Sequence, residues 1–259
     1  MPRLPILVSL LAAFALAGPL HAEPRVYHTS YNVSLIGLPV AKASFETTLD
    51  TRSYSVDGTL ASSGLADIFS TIKGKSSVSG TIGPDRLTAD RYSLAYRSDR
   101  KNWSSDVALK GGAVASRSVA PDRPAPKKDF VPVTPEQLKR VVDPLSGLML
   151  RAGKDPASLC DRSLPFYDGW SRMDLKLSPA GRKPFSTNGF KGDAFVCDVR
   201  VDLVSGFRPS SKGVKFITRQ TIQLWFAPIA DTDIYAPVHA VIPTQIGPLT
   251  FTATQFAKG

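Results

Sequence analysis

The sequence predicts a mainly β protein: a curled antiparallel sheet forming an open barrel or β-spiral, with one short broken helix at about 135–152 packed on it or plugging it. Three observations lead there. Apolar and polar residues alternate with a period of two from Tyr27 to Leu35 and again from Phe195 to Leu203, the spacing that puts one face of a strand on a core. Short turns rich in Gly and Pro separate such runs, which suits a meander that curls into a sandwich or barrel. Helix-start and helix-stop signals are concentrated in one stretch, Thr134 to Gly153.

Taken in order, the chain opens with a basic start, Met1-Pro2-Arg3, an apolar run from Leu4 to Leu16, and a small residue, Ala22. That order reads as a secretory signal peptide over residues 1–22. The run is shorter than the roughly 20 residues a membrane span needs, and no Cys follows it to carry a lipid. The mature protein is therefore expected to be periplasmic, soluble and neither lipid-anchored nor membrane-spanning, forming one β-rich domain over 23–259.

In its first half, about 26–118, Tyr27, Thr29, Tyr31, Val33 and Leu35 share one strand face, and Gly37-Leu38-Pro39 turns the chain into a second strand, Val40 to Leu49. Ser53 to Leu60 repeats the pattern. Thr81-Ile82-Gly83-Pro84-Asp85 is turn chemistry, because Gly permits positive φ and Pro presets its own. Tyr92, Leu94 and Tyr96 line the next strand, and Trp103 to Leu109 forms another.

Ala120 to Pro135 holds five prolines and suits an extended strap. Thr134, Pro135 and Gln137 then form a capping box, and Asp143-Pro144 restarts the helix with Asp as cap and Pro first. Leu145, Leu148 and Met149 give its apolar stripe, and Gly153 ends it. In the second half, about 160–257, strands are expected at Arg172–Leu177, Phe195–Leu203, 216–226, 238–242 and 249–256. Leu164 to Trp170 contains Asp168-Gly169, whose simplest reading is a hairpin tip; a compatible second reading has Tyr167 and Trp170 line an apolar or sugar-binding surface.

Cys160 and Cys197 are the two cysteines of the chain. An even count in an exported protein implies one disulfide, which stabilises by roughly 4 kcal/mol in the chain-entropy model. The net charge is +10, or +9 without Arg3, with Lys and Arg spread along the chain. Outside the cytosol such a surface either favours lipid head groups, envelope polysaccharide or cell wall or is a solvated basic surface with no dedicated partner, and no nucleic-acid partner is expected.

Enzymatic chemistry finds little support. His28 and His239 are the histidines beyond residue 22, and each sits inside a strand pattern where a structural role suffices. A Gly-x-Ser-x-Gly elbow is absent. The histidines and cysteines are too far apart for a zinc motif, and Asp231 and Asp233 begin a calcium-loop spacing without its Gly and Glu. Gly74-Lys75-Ser76 ends like a phosphate loop, but Phe69 stands where the first Gly belongs. Glu46, Asp168, Asp174 and Asp198 offer carboxylates without a spacing that pairs them for glycan hydrolysis. No catalytic residue, metal or cofactor is expected.

Asp143-Pro144-Leu145-Ser146-Gly147-Leu148, then Cys160, Phe166-Tyr167-Asp168-Gly169 with Arg172, and Cys197 leading to Val204-Ser205-Gly206-Phe207 together resemble the exported bacterial family called domain of unknown function 3108. The Tyr31–Ser44 strand pair and the segment from Pro237 to Gly247 fit as well. Trp170-Ser171 stands where that family usually has a basic pair. The resemblance implies a periplasmic β-rich protein without an assigned reaction. More distantly, the chain is similar to envelope-integrity proteins with a spiral sheet and to the lipoprotein-carrier fold.

Two functional readings stay open. One is a non-enzymatic periplasmic binding or carrier module for an amphipathic or anionic envelope ligand (a lipid, a lipid-linked glycan or an extended peptide) that contributes to envelope integrity. Its candidate ligand-binding residues are Tyr27, Tyr31, Tyr92, Tyr96, Tyr167, Asp168, Trp170 and Phe226, and it predicts an apolar cavity of roughly 300 Å³ or more. The other is a scaffold acting through envelope protein partners, with a filled core and an exposed apolar patch of several hundred Å², roughly. A cell-wall glycan-active enzyme ranks third.

Overall fold

The computed structural model describes residues 23–64, 71–99, 101–122, 128–153 and 155–259. The signal segment at 1–22, the centre of the strap at 123–127 and Phe69 lie outside the described residues.

Seven strands come first: β1 (Arg25–Leu35), β2 (Leu38–Leu49), β3 (Ser53–Ser62), β4 (Ile72–Ile82), β5 (Leu87–Ser98), β6 (Asn102–Lys110) and β7 (Ala113–Ala120). After the strap follow β8 (Leu150–Arg151), β9 (Arg162–Tyr167), β10 (Arg172–Thr187), β11 (Phe190–Ser205), a six-residue helix α1 (Lys212–Ile217), β12 (Ile222–Pro228), β13 (Ile234–Thr244) and β14 (Gly247–Lys258). All belong to one antiparallel sheet ordered β7-β6-β5-β4-β3-β2-β1-β14-β13-β12-β11-β10-β9, with β8 added beside β13. The sheet is curled but not closed, so β7 and β9 remain its two edges.

The order has a consequence for packing. The first and last strands of the chain pair with each other, Tyr27 opposite Lys258 and Leu35 opposite Leu249, at the middle of the sheet. One core therefore mixes both halves: Tyr54, Val56, Val78, Tyr92 and Val107 pack with Val238 and Phe256. A second core surrounds the Cys160–Cys197 disulfide, with Leu159, Val199 and Phe226 all closed to solvent. No helix among the described residues is long and apolar enough to cross a membrane.

Two local expectations need correction. The segment at 135–152 forms two separate 3-10 turns, Glu136–Leu138 and Ser146–Leu148, rather than a broken α-helix. Tertiary hydrogen bonds explain this. Val142 lies in parallel register with Phe166, its N–H donating to Pro165 O at 2.9 Å while Tyr167 N–H donates back at 2.9 Å, and helical backbone has no free groups to offer such a bridge. The segment still packs into the sheet, with Val141 and Met149 in the first core. Residues 216–221, read as the start of a strand, are instead the end of α1 and a turn. Val214 and Ile217 present the half-buried side of a helical turn, and the two-residue period begins only at Ile222.

The strands also run longer than the sequence periodicity indicates. β4 and β7 carry no two-residue signal, because Ser, Gly and Ala fill much of their faces.

Candidate functional site

A cavity of about 500 Å³ lies against the sheet between its two halves. On β1 and β2 the inward face reads Tyr27, Thr29, Tyr31 and Ala43, Phe45, Thr47, the even spacing that strand geometry puts on one side. Opposite them, β13 supplies Ala236, Pro237, His239 and Ala240. On β14 the parity switches: Lys258 and Phe256 line the cavity, and so does Phe251. A bulge makes this possible, because Ser30 faces Gln255 while Tyr31 faces Ala253, which leaves Thr254 as the extra residue. The second 3-10 turn and its flanks contribute Pro144, Leu145, Leu148 and Met149.

The wall is mostly apolar, and its tyrosine hydroxyls are already engaged. Tyr27 OH donates to Ala230 O at 2.8 Å, and Tyr31 OH donates to Pro237 O. Burial raises the Tyr31 phenol above its ordinary pKa, so it stays a neutral donor. The Tyr31 ring meets Phe45 edge-on at 5.8 Å, and Phe190 meets Phe256 at 5.9 Å. His239 lies 4.8 Å from Trp225, ring to ring, and its Nδ1 is 3.0 Å from Thr252 Oγ1. Burial, with Lys183 nearby, pushes the His239 pKa down, so the imidazole is neutral at neutral pH. Lys258 is the one lysine, arginine or carboxylate on the lining, and it is paired with Asp231 at 3.3 Å. Gly189, Ala230 and Lys258, the exposed lining residues, sit at the end of the sheet where β1 begins.

Of the eight residues expected to contact a ligand, Tyr27 and Tyr31 line this cavity. Phe226 is sealed in the second core and Tyr92 in the first. Tyr96 is exposed, tilted against Trp103 at 6.0 Å. Tyr167, Asp168 and Trp170 belong to the β9–β10 hairpin tip, which is tucked inward. Arg117 donates to Tyr167 OH at 2.5 Å, Tyr167 OH donates to Gly169 O, and Ser105 Oγ donates to Asp168 O. The Asp168 carboxylate is turned on its own loop, accepting from the N–H groups of Trp170 and Ser171. The Trp170 ring meets that of Phe130 at a tilt, 5.5 Å between centroids.

Phe45, Phe190, Phe251 and Phe256 were not singled out from the sequence. Strand parity would have marked Phe45. The bulge hides the relation between Phe251 and Phe256, and nothing local announces that Leu145 and Leu148 line the same cavity as β1.

The carboxylates weighed for catalysis have other partners. Glu46 lies 3.8 Å from His28, Asp174 is paired with Arg172 at 2.7 Å, and Asp198 accepts from Gln223. Among the described residues no three His, Cys, Asp or Glu side chains are grouped to hold a metal ion.

Comparison with known proteins bears on the fold and the family. The family model described as "Protein of unknown function (DUF3108)" matches residues 27–254. No curated protein matches the chain. Among solved structures, the crystal structure of a β-barrel-like protein of the domain of unknown function DUF1849 from Brucella abortus is similar at a TM-score of 0.58 and 8% identity, covering 90% of this chain and 97% of that one. At that identity the likeness concerns the fold alone.

Proposed function

The chain belongs to the DUF3108 family, described as of unknown function, and we propose that it is a non-enzymatic binding or carrier module, exported to the periplasm, for an amphipathic envelope ligand. The observation that carries this reading is the 500 Å³ apolar cavity. Ligand sites typically enclose about 300–1,000 Å³, with apolar walls and few polar groups. This wall offers aromatic edges and aliphatic side chains, and its tyrosine hydroxyls are tied to backbone carbonyls. A hydrocarbon chain loses no hydrogen bond on entering it and is removed from water.

Lys258 at the exposed end supports an anionic terminus for the ligand. Its partnership with Asp231 is a surface ion pair, worth about 0–1 kcal/mol, so exchange for a ligand phosphate or carboxylate costs little. The disulfide is consistent with an oxidising compartment. A scaffold with a filled interior fits this cavity less well.

Native mass spectrometry of protein isolated gently from cells, followed by solvent extraction, tests the reading. The expected result is a reproducible added mass that extracts as lipid or lipid-linked glycan. Ala43 is buried and lines the cavity, so Ala43→Phe is expected to remove that mass while the protein still folds. A wild-type protein that carries no added mass and takes up no fatty acid or phospholipid in titration would refute the proposal.

A further inference from the structure

Five large hydrophobic side chains are exposed among the described residues: Ile36, Leu38, Ile72, Tyr96 and Ile246. All five sit at one end of the sheet. Ile36 and Leu38 form the β1–β2 tip, Ile72 begins β4, Tyr96 lies near the end of β5, and Ile246 forms the β13–β14 tip. The two tips touch, since Ile36 N–H donates to Pro248 O at 3.0 Å and Gly247 lies against the Ile36 side chain. Ile36, Leu38 and Ile246 are 59%, 56% and 66% exposed.

Backbone geometry adds an independent observation. Leu35 pairs with Leu38, so Ile36 and Gly37 are the two loop residues, with φ of 51° and 79°. Positive φ at both positions is the hairpin turn that favours Asn-Gly or Asp-Gly, and a β-branched residue at positive φ is strained. The chain keeps an isoleucine where asparagine would relieve the backbone and spare an apolar side chain from water. Both penalties point to a role for that side chain outside the fold.

Charge at this end selects the partner. Lys42, Lys73, Arg97 and Lys101 are exposed around the apolar tips, and α1, which bridges the same ends of β11 and β12, adds Lys212 and Lys215. Asp99 lies among the first four, its carboxylate accepting from Thr71 N–H, and toward α1 the acids Asp129 and Asp202 are paired with Arg208 and Lys176. The opposite end carries Asp50, Asp85, Asp231 and Asp233 in its turns, interspersed with Arg52, Arg86 and Lys110, and none of the five exposed apolar residues. Apolar tips ringed by basic side chains match the layering of an anionic bilayer surface, with phosphates outside and acyl chains about 5–10 Å below.

We propose that this end of the sheet docks on an anionic membrane leaflet, with Ile36, Leu38 and Ile246 entering the head-group region and the surrounding lysines and arginine meeting lipid phosphates. The exposed end of the cavity then faces away from the bilayer. Docking is thus independent of what the cavity holds, and either proposal can fail alone.

The test places an environment-sensitive fluorophore on Ile246→Cys, and on Thr51→Cys at the opposite end as a control, in the full chain with vesicles of phosphatidylglycerol and phosphatidylethanolamine. The expected result is a blue shift at position 246 and none at 51, lost in vesicles of phosphatidylcholine alone and weakened by salt. Ile36→Asn is expected to hold or raise the melting temperature while weakening vesicle binding roughly tenfold, as loss of one buried aliphatic side chain implies. No shift at 246, an equal shift at 51, or a shift that follows protein concentration without vesicles overturns the proposal.

Discussion

Asp143 is 1% exposed, and its carboxylate accepts from the N–H groups of Leu145 and Ser146, both at 2.8 Å, and from the Ser146 hydroxyl. This is what the Asp-Pro signal announces, a side chain capping the turn that follows it. The sequence does not announce that the cap is buried beside Tyr54 and Tyr92, whose phenols are pushed up by burial first and by acidic neighbours, Asp143 among them, second. Burial raises the Asp143 carboxyl pKa above 3.8, against the pull of its donors. A raised native pKa means that the folded state holds this proton more tightly than the unfolded chain. Its contribution to stability is complete below 3.8 and disappears as pH rises through the native value. Asp129 has the opposite sign: the Ser210 hydroxyl and Arg208 lower it to about 2, so its contribution is present above 3.8 and disappears as pH falls toward 2. Asp143→Asn keeps an acceptor for the two N–H groups and removes the titration. Relative to that variant, the urea midpoint of the wild type should fall as pH rises above 3.8 and then level off. Parallel profiles from pH 3 to 7 would show that Asp143 does not titrate in this way.

The β9–β10 hairpin shows how far an element can be read. Asp168-Gly169 does mark a tip, but the loop runs from Asp168 to Ser171, because Tyr167 pairs with Arg172. Gly169 has a φ of 95°, and a Cβ there would stand 1.8 Å from Ser105 Oγ. Gly181, inside β10, has a φ of 94° with nothing within 4 Å. The pair separates backbone strain from packing. Gly181→Ala should cost about 1–2 kcal/mol, the strain of a left-handed residue. Gly169→Ala should cost clearly more, because Ser105 and the tip cannot both keep their places; chemical denaturation checks it, and equal losses would contradict the docked tip. The hairpin was legible as local turn chemistry. Its docking on β6 was not, since Ser105 is one serine among many until the curled sheet brings it to Gly169. At 135–152 the local signals for a helix were present but lost to the Val142–Phe166 bridge, a long-range bond that no capping residue reveals.

On the scale of the whole molecule, β14 is the strand that joins the halves, paired with β1 on one side and β13 on the other. A proline there breaks ladder bonds between residues more than 200 positions apart in sequence. Ala253→Pro, opposite Tyr31, is expected to cost about 3 kcal/mol or more and to open the cavity wall. Ala115 lies on the edge strand β7 at a register shift, where Ala108 faces Ser116 and Leu109 faces Val114. Ala115→Pro meets no paired neighbour and should cost about 1 kcal/mol or less. Urea unfolding followed by circular dichroism compares the two, and similar midpoints would argue against a two-sided β14. Every other neighbouring pair along the sheet is consecutive in sequence, so the β1–β14 pairing, which closes the longest loop, is expected to be the slow step of folding.

The sequence by itself determined the β class, most strand positions, the disulfide and the family, because each rests on local periodicity, on cysteine count or on an ordered set of short motifs. Tertiary structure alone decided that β1 and β14 meet, that a bulge at Thr254 turns Phe251 and Phe256 to the same side, and that Tyr27 and Tyr31, but not Tyr92 or Phe226, face open space. Alternation tells which residues share a face. How far the sheet curls, and what else packs into its concavity, depends on contacts between segments distant in sequence, and a period of two carries no record of them.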